Sequence, residues 1–337
     1  MKILVPIMSS EDIDVLNPNI YNTEFFCGYL PQWWIDEYNN SEDKASNLSI
    51  PVNNRNGRSA NVTTFEELTK ITKKAEEYGT DVFLVLNAKY YPDFIYEKIS
   101  QYLDEVVTAG ITRMIVCDIG MIHFLADNYP QIKISVSCLN QVTNKQAVNF
   151  YRLFGNVDRI VFPRHMSTNE IKEIVSSIPE LEYEYFIFSN KCLYDDGYCR
   201  GIHEFTPICK DLFFMDFYAN NRETIDNATK RQLAVAGQDY SDWTRSELMC
   251  EENNYCTPNF ACCACSLVSL IKQPNITSVK LSIRGHEICE RLRQVKMAHA
   301  VISEVEKGVG IEQVKKTISL FYGKESLCED GTSCMMI

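Results

Sequence analysis

No stretch of the 337 residues approaches 18 uninterrupted apolar positions, so no membrane-crossing helix is expected. The opening MKILVPIMSSEDID carries one lysine and a short apolar run, and acids follow at once. That is too brief for the apolar centre of a secretion signal, and the expected location is the cytoplasm. Basic residues are scarce as well. Lys and Arg number 33 against 45 Asp and Glu, for a net charge of −12 and a pI near 5.0. A free-standing nucleic-acid binder shows the opposite balance, so free nucleic acid is not an expected partner. GxGxxG, the P-loop, HExxH and GxSxG are all missing. A nucleotide-binding fold and a standard hydrolase triad are therefore without support.

Cysteine, by contrast, is abundant. Of 14 in the chain, eight fall between Cys192 and Cys265: Cys192, Cys199, Cys209, Cys250, Cys256, Cys262, Cys263 and Cys265. In a reducing cytoplasm a disulfide framework is not the default. Buried cysteines acting as small hydrophobes account for a few, not for such crowding. Thiolate ligation does account for it. The segment NKCLYDDGYCRGIHEFTPIC supplies Cys192, Cys199 and Cys209. A fourth ligand must come from Cys250, Cys256 or the CCAC run Cys262, Cys263, Cys265. Iron–sulfur clusters are usually held by four thiolates. Structural zinc favours ligand pairs two to four residues apart, which the first pair exceeds but CCAC satisfies. On spacing alone both chemistries stay open.

Eight short runs rich in β-branched and aromatic residues recur along the chain: 2–7, 24–28, 82–87, 113–118, 133–138, 159–163, 182–188 and 278–283. Near-continuous apolar runs of this length suit strands buried on both faces of a parallel sheet. Helical patterns lie between most of them, at 63–79, 91–110, 144–155 and 167–179, with two more at 286–306 and 311–322. The first two end on Gly79 and Gly110. The STNE start of the fourth is a capping-box signature. Eight strand–helix units predict an α/β fold, a (β/α)8 TIM-type barrel. Residues 1–188 would hold strands one to seven, and 189–277 a cysteine-rich insertion. Residues 278–323 would hold the last strand and closing helices, and 324–337 a flexible tail. Residues 29–62 form a long polar excursion containing Trp33 and Trp34, a pair that suits either a contact surface or local packing.

In such a barrel the active site forms at the C-terminal ends of the strands. Asn87, Asp118, Arg164 and His165 lie there and are the candidate catalytic residues; Cys27, Cys138, Asn140 and Asn190 share the position. His203, inside the cysteine segment, and His286, just after Arg284 and Gly285, could serve as ligands or as acid–base groups.

The order of these motifs resembles the collagenase-like peptidase U-thirty-two family over roughly residues 1–305. EFFCG followed by RSANVTTFEEL, then VLNAKYY, VCDIGMIHFLADNYP and ISVSCLNQVTNKQAVNFY, match the family's early and middle segments in order. FPRHMSTNEIKEI resembles its arginine segment, with His165 where the family usually has glutamate. VKLSIRG resembles a lysine–glycine–arginine signature imperfectly. FSNKCL and GYC place Cys192 and Cys199 on the first two cluster cysteines, with Cys209 on the third and Cys265 on the fourth. The resemblance implies a β/α barrel with a [4Fe–4S] cluster. It further implies oxygen-independent hydroxylation, or a related modification, of a small molecule, a peptide or RNA; prephenate is implicated as oxygen donor for some members. The acidic bulk charge favours a small-molecule or peptide substrate. Two other functions remain in view: a peptidase, and a non-catalytic iron–sulfur subunit working with a homologous partner chain.

Overall fold

The apolar runs pair side by side and close on themselves. A computed structural model describes residues 1–38, 50–55, 57–190, 197 and 260–323. Its parallel strands are β1 (Lys2–Pro6), β2 (Thr23–Cys27), β3 (Val82–Leu86), β4 (Arg113–Val116), β5 (Lys133–Val136), β6 (Val157–Val161), β7 (Glu182–Asn190) and β9 (Ile276–Leu281). Each pairs with the next, β7 pairs with β9, and β9 returns to β1 with Ile3 opposite Val279. The eight strands make a closed (β/α)8 barrel. A short further strand, β8 (Phe260–Cys262), runs antiparallel along the last residues of β7.

Both faces of the strands are buried, which is why they read as unbroken apolar runs rather than alternating ones. Between sheet and helices lies the main core, including Val5, Phe25, Leu84, Tyr102 and Val279. Inside the ring, Leu4, Phe26, Phe83, Val85 and Ile115 form a second cluster. Below it sits an ionic group that strand patterns do not reveal. Arg159 is buried between Glu24 and Glu184, with Nη1 at 2.5 and 3.0 Å from their carboxylates, and its Nη2 lies 2.6 Å from Glu182. Lys280 reaches Glu184 at 3.1 Å. Both cations lie over aromatic faces, Arg159 on Phe83 and Lys280 on Phe26.

The helices are α1 (Ser10–Val15), α2 (Pro18–Tyr21), α3 (Gln32–Tyr38), α4 (Phe65–Glu77), α5 (Tyr96–Thr108), α6 (Ile119–Asn128), α7 (Lys145–Tyr151), α8 (Thr168–Ser177), α9 (Leu267–Leu270), α10 (Ile288–Glu306) and α11 (Ile311–Tyr322). Gly79 and Gly110 follow α4 and α5 with φ of +65° and +98°, the left-handed stop that favours glycine. The capping box at α8 forms: Ser167 accepts from Glu170 N, and Ser167 N donates to the Glu170 carboxylate. Ser167→Ala should cost about 1 kcal/mol, read as a lower urea midpoint with unchanged slope.

Several elements were not anticipated: α1, α2, α3, α6, α9 and the short strand β8. α6 follows β4 after only Cys117 and Asp118, and its apolar IGMIHFLADN shows little helical period to mark it in the sequence. The excursion at 29–62 contains α3, and of the two roles open to the tryptophan pair the structure shows packing. Trp34 is fully buried, with Nε1 donating to Ile50 O at 3.0 Å, and Trp33 Nε1 donates to Glu105 at 3.0 Å. No helix among the described residues is long and apolar enough to cross a membrane. Most of the segment at 189–277 and all of 324–337 lie outside the described residues.

Candidate active site at the barrel mouth

Closing the barrel carries the strand ends to one rim. Asn87, the first residue past β3, accepts a hydrogen bond from Asn54 N at 3.0 Å. Asp118 caps α6, accepting from Met121 N at 2.7 Å. Burial pushes its carboxyl above the usual range, against backbone hydrogen bonds that pull it down. Arg164, just after β6, lies with its guanidinium 4.8 Å from the centre of the Phe186 ring, and its Nη2 is 3.5 Å from Ser282 Oγ. His165 is exposed, and among the influences that lower the Glu170 carboxyl it is the weakest. The structure therefore turns Arg164 toward the segment after β9 and leaves His165 exposed near the start of α8.

Arg164 meets residues that the strand-end reading had not singled out as site residues. Arg284, three residues past β9, is buried, and its Nη2 donates to Asn53 Oδ1 at 2.9 Å. Arg55 donates from Nη1 to the Arg284 carbonyl at 2.6 Å and from its backbone N to Asn53 Oδ1 at 3.0 Å. Asn53 Nδ2 donates to Asn61 Oδ1 at 2.8 Å, and Asn61 Nδ2 donates to the carbonyls of Arg55 and Gly57. Burial, with Arg55 beside it, pushes Arg284 down to about 9, against smaller upward influences from Cys27 and Tyr102. Burial and then Arg164 lower Arg55 in turn. Among the described residues no carboxylate acts on either. His286 is held below its ordinary value by burial and by Arg55, so it is neutral near pH 7. The available signal was the turn-rich NNRNGRSAN, whose Asn53, Arg55 and Asn61 form this scaffold.

Gly28 makes the packing feasible. A Cβ there would stand 1.9 Å from Asn61 Oδ1 and 2.9 Å from Arg284 Nη1. Gly28→Ala must displace a buried asparagine that holds three hydrogen bonds. A loss of about 2–3 kcal/mol is expected, measured by chemical denaturation.

The sulfur groups differ in setting. Cys27 and Cys117 are buried and their thiols are pushed up to about 12, chiefly by burial, so both are neutral thiols at pH 7. Cys138 is also buried. Cys262 packs in the main core, the Cys263 thiol donates to Phe186 O, and Cys265 is half-buried at the edge of that core. Cys192, Cys199, Cys209, Cys250, Cys256 and His203 lie outside the described residues. Among the described residues no three His, Cys, Asp or Glu side chains are grouped to hold a metal ion.

Comparison with known proteins places this architecture. The tRNA hydroxylation protein P of Escherichia coli (strain K12) is 30% identical over 97 residues, covering 29% of this chain and 21% of that protein. The tRNA hydroxylation protein P1 of Bacillus subtilis (strain 168) is 26% identical over 136 residues, 40% of this chain and 32% of that one. The collagenase of Porphyromonas gingivalis (strain ATCC BAA-308 / W83) is 24% identical over 162 residues, 45% and 38% of the two chains. The matches thus span 21% to 38% of these relatives' own lengths. The solved structure of the U32 peptidase Mk0906 superposes with a TM-score of 0.43 at 9% identity, covering 83% of this chain and 91% of that one. The model of peptidase family U32 matches residues 45–319. A match over that much of the sequence, on a closed β/α barrel, shows the kinship: this chain belongs to peptidase family U32.

Proposed function

We propose that this chain is an iron–sulfur-dependent modifying enzyme, carrying out oxygen-independent hydroxylation or a related modification of a small molecule, a peptide or RNA at the barrel mouth. The observation that carries the reading is the ladder between β7 and β8. Phe188 pairs with Cys262 and Asn190 with Phe260. Asn190 precedes Cys192 by two positions in the sequence, so the pairing brings the CCAC run back to where the cysteine segment departs. A four-thiolate site drawn from two stretches far apart in sequence needs such a return of the chain, and the ladder supports one. Cys192, Cys199, Cys209 and Cys265 would hold a [4Fe–4S] cluster. Of the CCAC thiols, Cys265 suits ligation best, because Cys262 packs in the core and Cys263 is turned to the β7 backbone.

The cluster would supply one-electron chemistry beside the substrate. The chain's own residues supply binding and proton handling. Arg164 would hold an anionic group, and His165 would exchange a proton at the rim. Asp118 would fix the start of α6 beside the mouth, and Asn87 would position the 53–55 turn through Asn54. The relatives named for tRNA hydroxylation support a modifying reaction, while the acidic charge of this chain favours a small molecule or peptide over free RNA. An oxygen-sensitive cluster also fits a cytoplasmic setting.

Protein purified without oxygen should contain iron and acid-labile sulfide in equal amounts, about four of each per chain, with broad visible absorption. A preparation that is folded and free of both would sink the proposal. Iron-independent cleavage of peptides would instead move the chain to the side of the collagenase relative.

A further inference from the structure

Buried arginines normally face carboxylates, because a buried guanidinium left without an anion is costly. The ionic group at the base of the barrel obeys this rule, with Arg159 between Glu24 and Glu184. The mouth does not. Arg284 is only 5% exposed, and its Nη1 has no hydrogen-bond partner among the described residues. Among the described residues its one side-chain bond runs to the neutral Asn53 amide. Arg55, fastened through Nη1 to the Arg284 carbonyl, likewise has no carboxylate partner among the described residues. The two cations are nonetheless held rigidly. Asn53 takes bonds from both, Asn61 locks Asn53 and the Arg55 carbonyl, and Gly28 lets that pair of amides pack against the backbone.

We propose that Arg55 and Arg284 form a built receptor for a small oxyanion, a carboxylate or phosphate group on a small molecule, which completes the mouth when it binds. Burial decides the size of the ligand. A nucleic-acid backbone is met by exposed basic side chains, whereas Arg284 offers almost no surface to a polymer. Only a small group can be seated against a guanidinium so enclosed. The receptor rests on the same mouth being the working end of the enzyme and names the part that grips the ligand. It depends on no cluster ligand.

The test is calorimetric titration of the full chain with malonate and, separately, with inorganic phosphate. Wild type should bind at least one saturably. The tighter of the two assigns the group as an organic acid or a phosphate ester. Arg284→Met should weaken binding about tenfold or more, and Arg55→Lys about fivefold, since lysine lacks the planar fork. Arg58→Ala, which removes an exposed side chain bonded to Gln32, should leave it unchanged. If Arg284→Met fails to fold, Arg55→Lys decides. Failure of wild type to bind either anion, or equal binding by wild type and the Arg55 and Arg284 variants, overturns the receptor. A chain that holds iron yet binds neither anion refutes this inference alone. One that binds an anion yet holds no iron refutes the cluster alone.

Discussion

Arg159→Ala should be the most destabilising single change in the barrel, costing about 3–5 kcal/mol. The side chain is buried inside the ring and serves Glu24, Glu182 and Glu184 together. Removing it leaves two fully buried carboxylates with one cation each, Glu184 with Lys280 at 3.1 Å and Glu24 with the part-exposed Lys2 at 3.5 Å. It also vacates the face of Phe83, so packing is lost with charge. Chemical denaturation should show the midpoint falling steeply. An unchanged midpoint would mean that the ionic layer is not a unit. The same layer predicts acid sensitivity. Burial works to raise the Glu24 carboxyl, but Arg159 and Lys2 outweigh it and hold it below the ordinary range. A carboxyl depressed in the folded state contributes stability that is complete above its unfolded pKa, about 4.3, and is lost as pH falls through the folded value. Wild type should therefore weaken below about pH 4. That part of the loss should vanish in a variant carrying Glu24→Gln together with Arg159→Met, which removes both charges.

Cys192→Ser and Cys199→Ser should each abolish or severely reduce iron content, the second large effect. A four-iron cluster depends on all its thiolates, and a serine hydroxyl stays protonated near neutral pH and ligates poorly. Cys265→Ser should lose iron to a comparable degree. Cys262→Ser and Cys263→Ser should lose less, because those thiols are committed to the core and to the Phe186 carbonyl. Cys289→Ser, exposed near the start of α10, is the control and should retain full iron. Iron and sulfide quantification on oxygen-free preparations reads all six. Full retention in Cys192→Ser or Cys199→Ser would remove those residues from the ligand set. Loss in Cys263→Ser equal to that in Cys265→Ser would reopen the choice of fourth ligand.

Stability and chemistry divide along the barrel axis. At the base, cations meet carboxylates at 2.5–3.1 Å and the network is closed. At the mouth, Arg55 and Arg284 are fixed by amides and carbonyls that hold position without neutralising charge. A closed buried network adds rigidity, whereas an open one spends folding energy on a site for something else. Asp12 and Arg291 brace the mouth itself. Arg291 bonds the Asp12 carboxylate at 2.6 Å while holding the carbonyls of Pro6 and His286, and so ties the loop after β1 to the loop that carries Arg284.

The amino-acid sequence by itself determined the eight buried strands, because burial on both faces of a parallel sheet leaves a local mark: short apolar runs bounded by polar residues. It likewise determined α4, α5 and α8 through their period, Gly79 and Gly110 at their ends and the Ser167–Glu170 box, all contacts within a turn or two. The crowding of cysteines and the position of Arg164 at a strand end were legible in the same way. Only the tertiary structure decided what faces what. Glu24, Arg159, Glu184 and Lys280 sit within apolar runs as isolated charges, and nothing local says that they meet. Asn53 and Arg55 read as a polar turn, yet Arg55 is bonded to Arg284 across 229 positions. The tryptophan pair, open to two readings in the sequence, became packing once Ile50 and Glu105 were beside it. Pairing β7 with β8 brought Cys262 beside Phe188, near the end of β7. Periodicity records which side of an element is buried, but partners far apart in sequence are chosen by closure of the ring, which leaves no local trace.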